Sequence, residues 1–367
     1  MLFLLILCFA SAFLASAMLI RYGRGHARRY ASTVPQRFHS GNVPRLGGVG
    51  MLASCTVGWA WMVVSENQRF PNQIGIDAAA AASLWLAAFL TTAAGVYEDL
   101  TQRLPAGHRL LLTVAAAMVA VWLLELSVPR LGLAGLDAPW STSIWFGVGL
   151  AVVAISGLPH AFNLIDGYNG LAGIVAMVCC FALAYVALQV GDRQLAAMVL
   201  ALAGATAGFL VWNYPGGLLF AGDGGAYLWG VVIAIASVML VMQHRQVSPW
   251  FPVLLLIYPV WETLFSIYRK TSRGQSPGVA DALHFHQLIY RRIVRGVFHD
   301  DEARRMLTRN NRTSPYLWGF ALLTVTPAVL FWNNTFMLMA FCLLFVISYT
   351  YAYCSIVRFK VPRWIRR

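Results

Sequence analysis

The chain alternates between long apolar runs and short polar joins from one end to the other. The runs hold about 20 residues each, enough to cross a hydrocarbon core of roughly 30 Å as helix. In lipid every backbone polar group must be paired within its own segment, and a helix does this. Eleven spans are predicted, at 2–20, 46–64, 78–96, 109–126, 142–159, 171–190, 195–212, 225–243, 250–268, 316–332 and 335–356. The predicted fold class is all-α, a single polytopic transmembrane domain over residues 1–367 with one long polar loop at 269–315. The first run has no basic segment before it, and Arg21, Arg24, Arg28 and Arg29 come after it. That pattern predicts a retained first helix with its N-terminus outside, not a cleaved leader.

Charge orients this array. The joins after spans 1, 3, 5, 7 and 9, together with the C-terminus, carry 23 of the 27 Lys and Arg. Basic residues accumulate on the cytoplasmic side, so these joins and the C-terminus are predicted to be cytoplasmic. Only 11% of the chain is charged, against about 25% in a soluble domain. No soluble domain of any size is expected. The net charge of +13 flanks the spans and faces anionic headgroups. No nucleic-acid motif accompanies it, so no nucleic-acid partner is expected. All six cysteines lie inside spans without metal spacing, and no disulfide is expected. There is no internal repeat of the kind that marks inverted-repeat transporters.

Polar chemistry is concentrated on the inner side. The outer joins read as ordinary turns. The inner ones are RFHSGNVPRLGG (37–48), GVYEDLTQR (95–103), HAFNLIDGYNG (160–170), FAGDGG (220–225) and the 269–315 loop. Singly, Glu98 and Asp99 could end a helix facing water, Asp166 and Asp223 could be turn residues, and His284 and His286 could be solvated loop residues. Their recurrence on one face, with nothing similar opposite, favours a site for an ion and an anionic ligand. Magnesium prefers carboxylate, amide and water oxygens, and is commonly held by one or two carboxylates plus substrate phosphates. Asp223 and Asn163 are suitable donors, with Asp166 a further candidate. The glycines at 167, 170, 222, 224 and 225 are expected to bring free N–H groups to a phosphate. Spans 6 and 8 begin just after these joins and present positive helix ends.

These motifs resemble the polyprenyl-phosphate N-acetylhexosamine-1-phosphate transferase superfamily, whose bacterial surface-polysaccharide branch is nearest in wording. VPRLGGVG resembles the family's first inner-loop motif, and GVYEDLTQR its G-x-x-D-D motif. HAFNLIDGYNGLAG is similar to N-x-x-N-x-x-D-G-x-D-G-L, FAGDGGAYLWG to F-x-G-D-x-G-S, and SPGVADALHFHQLIYRRI to the loop ending in H-x-H-H. Five motifs in order cover roughly residues 37–295. The resemblance implies transfer of N-acetylhexosamine-1-phosphate from a UDP-N-acetylhexosamine to undecaprenyl phosphate, with Mg2+ (or Mn2+) at the diphosphate. It places the enzyme in the bacterial inner membrane with its site on the cytoplasmic face. Carried over residue by residue, Asp223 and Asn163 hold the metal, and Asp99 positions or deprotonates the lipid phosphate. Asp166 supports the metal or diphosphate, and Glu98 stands beside Asp99 in the paired acidic motif. Asn169 occupies the uracil-reading position. His284, His286 and Arg273 bind the donor from the long loop, and Arg45 with Gly47 and Gly48 shapes the entrance.

Four positions depart from the family pattern: Glu98 for Asp, His160 for Asn, Asn169 for Asp and Gln287 for His. All are polar-for-polar exchanges, which points to an altered donor sugar. An inactive membrane scaffold is the alternative they motivate. A transporter would need ionisable groups at mid-membrane, whereas Glu125 and Glu262 sit towards span ends. Segment 281–296 sets Leu283, Leu288, Ile289, Ile293 and Val294 among Arg291, Arg292 and Arg295, and predicts an amphipathic helix lying on the membrane surface. Pairing of two copies through apolar helix faces is left open.

Overall fold

The computed structural model describes residues 1–27, 42–67, 74–276, 278, 283–294, 296–297 and 300–358. These form helices throughout: α1 Leu2–Ala27, α2 Gly47–Asn67, α3 Ala78–Thr101, α4 Ala106–Leu123, α5 Ala134–Trp140, α6 Ile144–Ile165, α7 Leu171–Gln189, α8 Arg193–Asn213, α9 Gly222–Gln243, α10 Trp250–Leu255, α11 Ile257–Thr271, α12 Phe285–Arg292, α13 Glu302–Leu330 and α14 Thr335–Val357. Among the described residues nine helices, α1 to α4, α6 to α9 and α14, are long and apolar enough to cross a membrane. The protein is a polytopic, all-helical membrane protein.

The two remaining predicted spans are helical but differ in form. The run 250–268 is divided at Leu256 into α10 and α11. Pro259 has no N–H to give the carbonyl four residues earlier, and the helix breaks there. The run 316–332 is the apolar end of α13, which begins at Glu302, so a third of the expected polar loop is helix. Asp301 starts that helix by accepting from the Ala303 N–H at 2.9 Å. The amphipathic segment is helical over Phe285–Arg292, and its first six residues are buried inside the protein. It packs against α13 and α14, which is more cover than a helix lying on headgroups would have.

The most enclosed helices are α8 and α9. α9 is wrapped by α2, α3 and α6, while α8 lies against α1 and α7. The outward surface is apolar, with Leu14, Trp122, Trp145, Leu323 and Phe336 all exposed. That is the pattern of a bundle solvated by lipid. α9 therefore presents its N-terminal turn, with Asp223, at the centre of one end of the bundle.

Candidate active site

The site forms where the end of α3, the end of α6 and the starts of α4 and α9 meet. Segment 44–48 closes it by pairing along the turn before α9: Phe220 N donates to Pro44 O at 2.9 Å, Gly47 N to Phe220 O at 2.9 Å and Gly48 N to Ala221 O at 3.0 Å. Gly222 adopts φ +71° there, and a Cβ on it would lie 2.4 Å from the Asp99 carboxylate. A Cβ on Gly95 would meet the Asp223 carbonyl carbon and the Gly224 nitrogen at 2.5 Å. Glycine at both positions lets α3 reach the α9 turn.

Asp99, 4% exposed, accepts from the Asp223 and Gly224 N–H groups, each at 3.0 Å. It therefore holds the positive N-terminus of α9. This revises one expectation. The Gly224 N–H is taken by Asp99, the Gly170 N–H by Asn213 Oδ1 at 2.6 Å and the Gly225 N–H by Ala221 O at 3.2 Å. These donors satisfy the protein before any phosphate, because a buried backbone N–H needs a partner.

Asp223 is the hub. Its Oδ1 accepts from Asn163 Nδ2 at 2.7 Å and its Oδ2 from Arg109 Nη1 at 2.8 Å. Asp166 ends α6 nearby. Burial, and then the charge of Asp223, push its carboxyl up to about 7, with Arg45 pulling the other way. Arg45 thus acts on the same acidic group from the entrance segment. Glu98 is turned aside: its Oε2 accepts from the Leu104 N–H at 2.7 Å and closes the α3–α4 turn.

The donors at Asp223, Asp166 and Asn163 are hard oxygens with surplus negative charge, which suits a hard divalent cation. Among the described residues no three His, Cys, Asp or Glu side chains surround a common point. Such an ion would take its other ligands from substrate phosphate and water, in the manner of magnesium.

Asn169 is locked in place. Its backbone N–H donates to Asn310 Oδ1 at 2.8 Å, its Nδ2 to Asn311 Oδ1 at 3.1 Å, and its carbonyl accepts from Ser314 Oγ at 2.6 Å. Its Oδ1 is buried and has no hydrogen-bond partner among the described residues. The polar half of α13 thus clamps the D-G-Y-N-G turn.

The histidines are buried too. Their rings stack in parallel 5.5 Å apart. His286 packs edge-on to Tyr168 at 5.6 Å, and its Nε2 would lie 2.9 Å from a Cβ on Gly167. Burial, then His284, bring His286 down to about 3. Gln287 Oε1 accepts from the His284 N–H at 3.2 Å, so its departure from the family pattern caps α12. Arg273 is exposed after α11, and its side chain makes no hydrogen bond or ion pair among the described residues.

Comparison with known proteins agrees with these motifs. Residues 81–241 match the model of glycosyl transferase family 4. A probable undecaprenyl-phosphate N-acetylglucosaminyl 1-phosphate transferase of Bacillus subtilis is 26% identical over 68% of this chain and 66% of its own length. Undecaprenyl-phosphate alpha-N-acetylglucosaminyl 1-phosphate transferases of Thermotoga maritima and Yersinia pestis are 28% and 25% identical. The first covers 54% of this chain and 58% of itself, the second 100% and 93%. The chain thus spans somewhat less than two thirds of the first two relatives and nearly all of the third.

The match over residues 81–241 and these relatives support a likeness to the polyprenyl-phosphate hexosamine-1-phosphate transferase superfamily. The family match contains Asp99, Asn163, Asp166, Asn169 and Asp223, whereas Arg45 and the histidine segment lie outside it. The matched stretch also contains residues that the sequence alone does not single out. Arg109 stands at the start of an apolar run, where a lone cation reads as an ordinary flank. Thr113, one turn on, has its Oγ1 2.9 Å from His160 Nε2, and Tyr227 OH lies 3.4 Å from His160 Nδ1. Outside the match, Glu262 was a span-end charge in the sequence. In the structure its carboxylate lies 3.3 Å from His284 Nδ1 and accepts from the Phe285 N–H at 3.0 Å.

Proposed function

We propose that the protein transfers N-acetylhexosamine-1-phosphate from a UDP-sugar to undecaprenyl phosphate, giving undecaprenyl-diphospho-sugar and UMP and starting a surface polysaccharide such as O-antigen. The observation that carries this is the Asp223 hub, fixed by Asp99, Asn163 and Arg109 at the end of an apolar bundle. An oxygen of the lipid phosphate attacks the β-phosphorus of the donor. The bond from that phosphorus to the oxygen bridging to the α-phosphate breaks, and UMP leaves with the electron pair. Such a displacement depends on positioning and on charge stabilisation.

Asp223, Asp166 and the Asn163 amide oxygen would hold a magnesium ion, which when bound offsets charge on the diphosphate. Asp99 keeps Asp223 in register. Arg45 brings positive charge to the entrance, and the clamped Asn169 turn forms the wall beside the nucleotide. A polyprenyl chain cannot leave the bilayer, so its phosphate sits at the headgroup plane, where these helix ends lie. The charge distribution supports eleven spans with the N-terminus periplasmic, and it supports a bacterial inner-membrane enzyme whose site faces the cytoplasm.

The test is transfer of labelled sugar-1-phosphate from a panel of UDP-N-acetylhexosamines to undecaprenyl phosphate, with magnesium or with EDTA, beside Asp223→Asn. Magnesium-dependent lipid-linked product that Asp223→Asn abolishes supports the reading and names the donor. Folded protein that binds a UDP-sugar and yields no product with any donor favours the scaffold instead. The exchanges at His160, Asn169 and Gln287 make donor choice the point to watch, since each touches the site or its supports.

A further inference from the structure

The contacts at the hub are repeated one helical turn deeper in the bundle. At the hub, Arg109 of α4 and Asn163 of α6 meet Asp223 of α9. Thr113, His160 and Tyr227 are the next residues inward on the same faces of α4, α6 and α9, since positions three or four apart share a helix face. Thr113 Oγ1 lies 2.9 Å from His160 Nε2, and Tyr227 OH lies 3.4 Å from His160 Nδ1. The His160 and Tyr227 rings meet edge-on at 5.1 Å. Each layer thus takes one side chain from each of three helices.

The protons of the deeper layer are assigned by counting donors and acceptors. Thr113 Oγ1 donates its one proton to Leu110 O at 2.9 Å. Its oxygen is therefore the acceptor for His160 Nε2–H. Nδ1 is then bare and accepts from the Tyr227 hydroxyl, which has no other acceptor among the described residues. The reverse order, with Thr113 donating to Nε2 and Nδ1–H donating to Tyr227, would leave the Tyr227 proton unpaired in a fully buried place. A doubly protonated ring would do the same. The donors therefore run one way, from α9 through α6 to α4.

α4 needs such a tie more than its neighbours do. α6 and α9 interlock by shape: a Cβ on Gly230 would stand 2.3 Å from Pro159 Cα, so the two backbones already touch. The buried stripe of α4 is Thr113, Ala116, Ala117, Ala120 and Val121. Three alanines allow close approach but present a smooth surface, with no large side chain to lock the helix along its axis. Leu110, Leu111, Leu112 and Trp122 point outwards and are exposed. A hydrogen bond between helices fixes the register that shape leaves free.

We propose that His160, held as its neutral Nε2–H tautomer, is a positioning residue that fixes α4 against α6, so that Arg109 and Asn163 arrive together at Asp223. This rests on the function proposed above, in which the Asp223 hub holds the metal. The exchange at position 160 then has a task inside the protein: the imidazole offers one donor and one acceptor at opposite sides of a rigid ring, and each finds its complement on a different helix.

The experiment uses full-length protein in nanodiscs and has two readouts. The first is the 15N spectrum of histidine-labelled protein, with His160→Asn as the blank that assigns the ring. A neutral ring with protonated Nε2 and bare Nδ1 is expected; a charged ring or a protonated Nδ1 overturns the proposal. The second is Mn2+ binding without nucleotide, followed by the loss of the free-ion EPR signal. His160→Phe keeps a ring and loses both hydrogen bonds, while Thr113→Val exchanges one hydroxyl for a methyl and carries the test should the ring variant fail to fold. Each should bind Mn2+ about three- to tenfold more weakly, the size of one or two hydrogen bonds between membrane helices. The double variant should be no weaker than the worse single one, because the two residues act as a unit. His160→Gln keeps a donor for Thr113 and should recover part of the loss. Wild-type Mn2+ affinity in both single variants, or losses that simply add, overturns the positioning role. Mn2+ binding that is absent from the wild type, or that survives Asp223→Asn at full strength, overturns instead the metal assignment of the proposed function, and the nitrogen spectrum then judges His160.

Discussion

Asp99 caps the helix that carries Asp223. Its two carboxylate oxygens take the N–H groups of Asp223 and Gly224 at 3.0 Å each, across 124 and 125 residues of sequence. A cap is normally supplied by the residue just before its helix. Here the residue before α9 is Ala221, which has nothing to offer, and a neighbouring helix supplies the acceptor. The acidic group of the G-x-x-D-D-like motif is thus tied mechanically to the acidic group of the F-x-G-D-like motif.

This predicts a stability effect for a residue that the resemblance treats as chemical. Asp99→Asn keeps the shape but offers one acceptor oxygen and turns an amide N–H towards a backbone N–H. We expect it to destabilise the protein by about 1–2 kcal/mol and to lose transfer through displacement of Asp223. Thermal unfolding in nanodiscs beside turnover checks this. A wild-type midpoint with transfer abolished would leave Asp99 a role in chemistry alone.

The helices were legible in the sequence because lipid leaves few choices: a long apolar run must pair its own backbone. The break at Leu256 was not. Hydropathy averages over Pro259, while the missing N–H acts on one carbonyl. The polar half of α13 reads as loop in the sequence because its Arg and Asn residues carry no apolar face, and what orders it is the clamp on Asn169. The acidic positions of the candidate site stand out in the sequence because they recur on one side. Arg109 and Glu262 do not stand out in the sequence, because a single charge at the end of a span has an ordinary explanation and its partner lies far along the chain.

The Asn169 clamp makes a return to the family's aspartate unfavourable in this chain. Asp at 169 would set a carboxylate oxygen against Asn311 Oδ1, 3.1 Å away. Turning the Asn311 amide over would relieve this but break its bond to the Pro215 carbonyl. We expect Asn169→Asp to destabilise by about 1–3 kcal/mol and to raise the donor KM. Adding Asn311→Lys, which supplies a donor, should recover most of the melting midpoint. A single variant as stable as the wild type would remove the clamp from the explanation of this departure.

Glu262 anchors the histidine segment from below. Besides Phe285 and His284 it receives the Tyr349 hydroxyl at 2.5 Å, joining α11, α12 and α14. Glu262→Gln keeps volume and an acceptor for Phe285 but loses the charge facing His284. We expect the donor KM to rise roughly tenfold, the size of a lost charge-assisted hydrogen bond, with a smaller change in kcat. Limited proteolysis should cut the 269–301 region faster in the variant. Equal changes in kcat and kcat/KM with an unaltered digestion pattern would place Glu262 in the chemistry instead of beneath the histidines.

His286 gives the protein an acid-side weakness whose sign follows from its burial. Folded, it takes a proton only near pH 3; unfolded, near 6.5. Between those values the unfolded chain binds more protons, so stability is intact above about 6.5 and is lost progressively as the pH falls towards 3. Asp166 acts in the opposite sense, since its folded carboxyl titrates near 7 against 3.8 unfolded, and its contribution weakens as the pH rises through that window. A wild-type curve alone therefore mixes the two. The neighbours His284, Glu262 and Tyr168 are the same in wild type and variant, so the difference between His286→Asn and wild type isolates the ring. Melting midpoints from pH 7 down to about 4.5 should fall more steeply in the wild type than in His286→Asn. The comparison rests on slopes, because removing the ring also costs packing at every pH. Parallel curves would mean that His286 titrates like a solvated histidine, as it would on a loop that reaches out to the donor.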